Sequence, residues 1–188
     1  LDPAAADTMA RQLGRLSAEQ RGDQIQRLER GLLSLERVPV DLMRLAMDVA
    51  HGLETAPVAV RVQGPPELVV QLDVSRIRQV LENLIGNAIK HSPPASTVFV
   101  KVRSRIYAEA GQHLAIVDVI DQGPGVTPEV LPYIFERFRQ GDGSITRRFG
   151  GLGLGLTIAA MLCHQMNVQL GVHSENFTTT FWLSCPMA

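Results

Sequence analysis

The sequence predicts an α+β domain: a mixed, mostly antiparallel sheet covered by helices on one face, with a helical extension at the N-terminal side. Three observations predict it. Segments of helical and strand period follow one another as helix, strands, helix, strands, helix, helix, strands, which is not the strict alternation of a doubly wound parallel sheet. The strand candidate at 96–106 alternates Val98, Val100 and Val102 with Lys101, Arg103 and Arg105, so one face is wet. At 188 residues, 45% hydrophobic and 20% charged, the chain suffices for one ordinary domain plus an appendage.

From about Asp7 to Glu36, Leu13, Leu16, Ile25, Leu28, Leu32 and Leu35 keep heptad-like spacing among charges. This predicts a long helix, weakened at Gly14 and Gly22, whose apolar seam packs on a partner helix or folds back on its own domain. Pro39 ends it, because the residue before proline is pushed out of the α region, and residues 37–40 are expected to be a hinge. The main domain then occupies residues 41–188. Asp41 caps a helix with Leu42, Leu45, Ala46 and Val49 as its buried stripe, ending near His51-Gly52. Residues 58–62 and 68–72, with the turn Gly64-Pro65-Pro66 between them, read as a hairpin-like pair of strands.

The rest of the chain serves residues 73–91, DVSRIRQVLENLIGNAIKH. Asp73 is placed to accept the free N–H groups of a first turn. Val74, Ile77, Val80, Leu81, Leu84, Ile85 and Ala88 make a buried stripe, and Arg76, Gln79, Asn83, Asn87 and Lys90 fall on a second stripe beside it. Asn is a weak helix former because its amide competes for the backbone, so two of them at i and i+4 on a core edge need another reason. An amide oxygen there can ligate a hard cation such as Mg²⁺, and Lys90 can neutralise phosphate. Solvated amides on an ordinary amphipathic helix would give the same local pattern.

Strands are expected at 96–106 and 113–120. Thr127-Pro128-Glu129 is a helix start, with Thr as cap and Pro in the first turn, and that helix should reach about Phe135. Residues 141–155 are rich in Gly and without apolar period, which predicts a loop that stays open without nucleotide. A helix over 154–165 and strands at 168–172 and 178–183 close the domain.

Asp121-Gln122-Gly123-Pro124-Gly125 leaves a strand at Ile120. A carboxylate at the end of a buried strand needs a donor. An adenine amine would serve, with Gly123 and Gly125 letting the base approach the backbone, and so would the amides of the turn itself. Gly150-Gly151-Leu152-Gly153-Leu154-Gly155-Leu156 precedes a helix, so its N–H groups can grip phosphate, although the spacing is neither a P-loop nor a dinucleotide fingerprint. Phe135 and Phe138 upstream can pin the loop or simply pack on the core. Arg147 and Arg148 lie within the loop, where they can reach a γ-phosphate or remain solvated.

Net charge −1 gives no sign of a nucleic-acid surface held by bulk charge. Cys163 and Cys185 lack CxxC spacing or a histidine cluster and read as buried thiols, compatible with a reducing compartment. No apolar run approaches a membrane span, and LDPAAADTMARQ lacks a signal-peptide pattern.

Taken in order, NLIGNAIKH, DQGPG, IFERF and GLGLGL resemble the N, G1, F and G2 boxes of the ATP-binding catalytic domain of two-component sensor histidine kinases, in the GHKL group with gyrase, heat-shock chaperone and mismatch-repair ATPases. The resemblance covers roughly residues 24–188, and QIQRLERGLLSLERVPVDL resembles the end of the dimerisation and phosphotransfer helix with its hinge. It implies the α/β sandwich of that family, with ATP and Mg²⁺ as cofactors. Asn87 becomes the Mg²⁺ ligand, with Asn83 beside it as a catalytic-site residue, Lys90 a phosphate contact and His91 a neighbour of the adenine. Asp121 would take the adenine amine, with Gly123 and Gly125 beside the base. Gly151, Leu152, Gly153, Leu154 and Gly155 would shape the end of the lid at the phosphates, and Arg147 or Arg148 would supply a catalytic cation.

Leu152 departs from the small hydroxyl residue frequent there, Gln165-Met166-Asn167 stands where many members have Gly-Gly, and the hairpin at 175–181 lacks the usual glycines, so altered turns are expected. None of the five histidines, His51, His91, His113, His164 and His173, is followed by an acidic residue in the way of a phosphoacceptor. The resemblance therefore implies a kinase domain that donates to a His on a dimerisation domain outside this chain, for relay to a response-regulator receiver domain. It also implies a homodimer, a cytoplasmic domain and a parent protein anchored in the inner membrane. A non-catalytic nucleotide-binding module is the alternative. A GHKL ATPase is less favoured, because Asn83 stands where those enzymes carry a Glu and an amide cannot act as a base.

Overall fold

The computed structural model describes residues 35–53, 58–107, 111–135 and 154–187. The heptad-spaced stretch as far as Ser34, Phe138, the glycine-rich loop, Arg147, Arg148, Gly151, Leu152, Gly153 and the Leu154 side chain lie outside them. The chain divides between Glu36 and Arg37 into two units, and the elements below belong to the second.

Strand β1 (Val38–Asp41) runs straight into helix α1 (Leu42–Leu53), followed by β2 (Ala59–Gln63), β3 (Val69–Leu72) and helix α2 (Val74–His91). Then come β4 (Thr97–Tyr107), β5 (Gln112–Asp121), a 3-10 turn (Leu131–Tyr133), helix α3 (Leu154–Met166), β6 (Gln169–Glu175) and β7 (Thr178–Pro186). The main sheet has the order β2-β4-β5-β7-β6, with β2 and β4 parallel and the other pairs antiparallel. This is the expected α+β class. Val98, Val100, Val102, Val117, Val119, Phe181 and Leu183 are buried on one face, where α2, flanked by α1 and α3, covers β4 and β5. On the other face Lys101, Arg103 and Arg105 are exposed, and Arg103 pairs with Asp118 at 2.7 Å.

Helix α2 forms as its pattern predicts, except that Val74, expected on the buried stripe, is 45% exposed in the first turn. Asp73 Oδ1 accepts the N–H groups of Ser75 at 3.1 Å and Arg76 at 3.2 Å. Ile77, Val80, Leu81, Leu84, Ile85 and Ala88 are completely buried. At about 1.5–3 kcal/mol for each large side chain, these contacts fix the rotation of the helix about its axis. Through it they also fix where the neighbouring polar stripe faces.

Three expectations are corrected. Segments β2 and β3 are not a hairpin: β3 pairs antiparallel with β1, in a separate two-stranded sheet, while β2 joins β4. Gly64 shows why. A Cβ there would lie 2.6 Å from the Val102 carbonyl oxygen and 3.1 Å from Met43 Sδ, so the chain leaves β2 pressed against β4 and α1 instead of turning back. Residues 38–40, expected within a hinge, belong to β1, whose Asp41 still caps α1 by accepting Met43 N–H at 3.0 Å. The helix expected from Thr127 to Phe135 is only a turn and the 3-10 segment. Val130 and Leu131 N–H both donate to the Thr127 carbonyl, as a helix start requires, but Pro132 has no N–H and disfavours α geometry at Leu131.

The altered turns take definite forms. Asn167, at φ +58°, closes α3 in the left-handed conformation usually given to glycine, with Val168 N–H donating to Cys163 and Asn167 N–H to His164. Asn176 and Phe177, at φ +50° and +59°, join β6 to β7 as a two-residue turn with both centres left-handed. Among the described residues no helix is long and apolar enough to cross a membrane.

Candidate functional site

Asn83, Asn87 and His91 stand at i, i+4 and i+8 on α2, each half-buried. At 1.5 Å per residue they mark out a track roughly 12 Å long. At one end Gly155, in the first turn of α3, faces Asn83: a Cβ there would lie 3.4 Å from the amide oxygen. At the other end Gly123 passes the C-terminus of α2, where a Cβ would lie 2.7 Å from the His91 carbonyl oxygen and 2.8 Å from Asp121 Oδ1. The glycine at 123 is thus required by close approach of the loop to the helix, a reason distinct from making room for a base. The loop after β5 and the start of α3 bracket the track.

Asp121 is 3% exposed, and burial raises its pKa above the usual carboxylate range, opposed by the hydrogen bond from Gly123 N–H at 2.8 Å. The reading in which the turn itself satisfies this carboxylate therefore holds in part. One turn amide meets the carboxylate, yet the desolvation remains, and a further donor would favour its charged form. In the sheet Asp121 lies opposite Thr179, which lies opposite Ser174, so a polar row crosses from β5 to β6. Thr179 is buried. Burial, and then the charge of Lys90, lowers the His91 pKa, so this imidazole is neutral at pH 7. Lys90 itself is exposed. The Phe135 ring meets the buried Phe181 edge-on, with centroids 6.1 Å apart, and so anchors the start of the F-box segment to the core.

Two buried polar side-chain atoms have no hydrogen-bond partner among the described residues: Asn83 Nδ2 and Ser92 Oγ. They sit at the two ends of the same track, and unpaired buried groups of this kind are costly unless something else meets them. Among the described residues no group of three or more His, Cys, Asp or Glu can hold a metal ion. The Asn87 amide oxygen is a hard donor that fits Mg²⁺, and a single such oxygen would hold the ion only together with phosphate oxygens and water. Sequence reasoning did not single out Ser92, Ser174 or Thr179. The first follows directly on the N-box pattern, and the others become visible only through strand register.

The family profile of histidine kinase-, DNA gyrase B- and HSP90-like ATPases matches residues 72–188, which contain α2, the Asp121 loop and α3. The chain belongs to this family. Within it, the domain is the ATP-binding catalytic domain of a sensor histidine kinase. The chain is 42% identical over 113 residues to sensor histidine kinase AruS of Pseudomonas aeruginosa, covering 60% of this chain and 11% of that protein. It is 33% identical over 171 residues to sensor protein SphS of Synechococcus elongatus, covering 85% of this chain and 40% of that protein. Full-length ShkA in complex with AMPPNP superposes with a TM-score of 0.63 at 28% identity, over 96% of this chain and 42% of that one. The chain therefore spans less than half the length of these relatives. In this fold the α2 track lies between Gly155 and Gly123, and Arg147, Arg148, Gly151, Leu152 and Gly153 lie outside the described residues.

Proposed function

We propose that this domain binds ATP·Mg²⁺ along the α2 track and donates the γ-phosphoryl to a histidine of a dimerisation domain, from which a response-regulator receiver domain takes it. The observation that carries the reading is the track itself, with the buried carboxylate of Asp121 at one end and, at the other, Gly155 with Asn83 Nδ2, which has no partner among the described residues. Asp121 accepts the adenine amine and neutral His91 lines the base. Asn83, Asn87 and Lys90 face the phosphates with the first turn of α3, from Leu154 and Gly155, and the loop supplies Gly151, Leu152, Gly153 and Arg147 or Arg148. Bound Mg²⁺ supplies charge neutralisation on the phosphates, with Asn87 as its protein ligand. Catalysis then rests on positioning and on fixed donors aimed at the transferred group. Asn83 orients and does not abstract a proton, so hydrolysis by this chain alone is slow.

The division of the chain at Glu36 supports reading residues 1–36 as the end of the dimerisation helix, with the hinge at that boundary and the catalytic domain beyond it. On the same reading the parent protein is a homodimer anchored in the inner membrane with this domain in the cytoplasm. With γ-labelled ATP, this chain should neither label itself nor release phosphate briskly, and a separate dimerisation domain bearing the acceptor histidine should acquire acid-labile label. Asn87→Ala should abolish that transfer while leaving the fold intact. Binding of ATP without transfer to any such domain would select the non-catalytic module, and label on one of the five histidines of this chain would overturn the division of labour.

A further inference from the structure

We propose that Ser174, on the closing hairpin, is a positioning residue for the adenine end of the site. The loop that Asp121 begins does not return to its own strand. Its far end, Val126 N–H, donates to Ser174 Oγ at 2.8 Å, on β6, with β7 lying between β5 and β6 in the sheet. Neighbouring strands lie about 4.8 Å apart, so the loop arches across roughly 10 Å and is tied down at both ends. Beneath the arch runs the row Asp121, Thr179, Ser174, with the Ser174 and Thr179 hydroxyls 3.4 Å apart. Gly125, at φ +79°, sits over the tether, and a Cβ there would lie 3.2 Å from Ser174 Oγ. The hydroxyl also lies 3.4 Å from the Thr178 carbonyl oxygen, so its own proton has acceptors and its lone pairs are left for Val126.

Without that acceptor the arch has no fixed end, and Gly123 and Gly125 lose the geometry that sets how closely a base approaches Asp121. Ser174 touches no base itself; it acts through Val126. The proposal rests on the nucleotide-binding reading above, and the test separates the two. Amide hydrogen exchange at Val126 is measured without nucleotide, and ATP affinity by calorimetry, in wild type, Ser174→Ala and Ser174→Thr. In Ser174→Ala, Val126 exchange should accelerate and ATP affinity fall by about tenfold, the size of one net hydrogen bond, with the thermal midpoint lowered by only a few degrees. The hydroxyl of Ser174→Thr should restore both. If Ser174→Ala does not fold, Ser174→Cys, with a poor acceptor in nearly the same shape, takes its place. Unchanged ATP affinity, weakened affinity with unchanged Val126 exchange, or no rescue by threonine overturns the proposal. Absence of ATP binding in wild type overturns the nucleotide reading instead, while Val126 exchange still decides whether the tether exists.

Discussion

Asp121 is a carboxylate whose surroundings favour its neutral form, and that conflict separates a binding residue from a structural one. Its folded-state pKa is raised by burial, so the folded chain holds a proton at pH values where the unfolded chain has lost it. By linkage, stability is then greatest below the unfolded value and is lost as pH rises through the folded one, above which the full desolvation penalty of the charged form remains. Asp121→Asn removes that penalty. The variant should melt no lower than wild type at pH 7, and the difference between them should shrink as the pH is lowered through the raised pKa, where wild type is itself neutral. Its ATP affinity should nevertheless fall roughly ten- to a hundredfold, because the charge-assisted bond to an adenine amine is gone. Scanning calorimetry over pH and titration with ATP check the two halves. A variant that loses stability at pH 7 in proportion to its affinity would make Asp121 a structural residue.

At the scale of elements, what was legible in the sequence is what local period and caps determine. The bounds of α2 followed from one apolar stripe and the Asp73 cap, and the Asn stripe beside it marked the candidate track. The two-stranded sheet was not legible. Gly64-Pro65-Pro66 is a turn signal, but whether β3 returns to β2 or goes on to β1 is decided by contacts of Gly64 with Val102 and Met43, far from it in sequence. Pro132 is a local signal that ends the expected helix, because it has no N–H and disfavours α geometry at Leu131. The Ser174 tether depends on register across three strands and has no local signal at all. The glycines carry the same lesson. At Gly123 a Cβ would meet a backbone oxygen and a carboxylate oxygen within 3 Å, neither able to move freely, whereas at Gly155 the nearest contact is an ordinary 3.4 Å. Gly123→Ala should therefore destabilise the domain by about 1–3 kcal/mol in urea denaturation and weaken ATP binding. Gly155→Ala should fold with near-native stability, and equal losses in the two variants would show that the α2–loop contact is looser than described.

At the scale of the whole molecule, the candidate site and the core share their supports: α2 is both the centre of the helical layer and the floor of the track, and α3 begins beside Asn83, at the end proposed for the phosphates, and ends in the core. Cys163 on α3 and Cys185 on β7 are each 1% exposed, and burial pushes their thiols up to about 12 and about 11. Since the thiolate is the reactive form, both should resist thiol reagents at pH 8 until the domain opens, so their labelling rate reports the population of the open state. On the proposed function, ATP binds the folded state alone. At a free concentration of 100 Kd it should stabilise that state by about 2.7 kcal/mol and slow labelling of both cysteines by about a hundredfold. The measurement needs no phosphoryl transfer, only ATP·Mg²⁺ and a thiol reagent followed by mass spectrometry. Equal slowing at Cys163 and Cys185 means that the nucleotide site and the sheet open as one cooperative unit. Slowing at Cys163 alone would mean that α3 detaches with the phosphate end of the site while β7 stays folded, and labelling indifferent to ATP at both positions would count against binding along the α2 track.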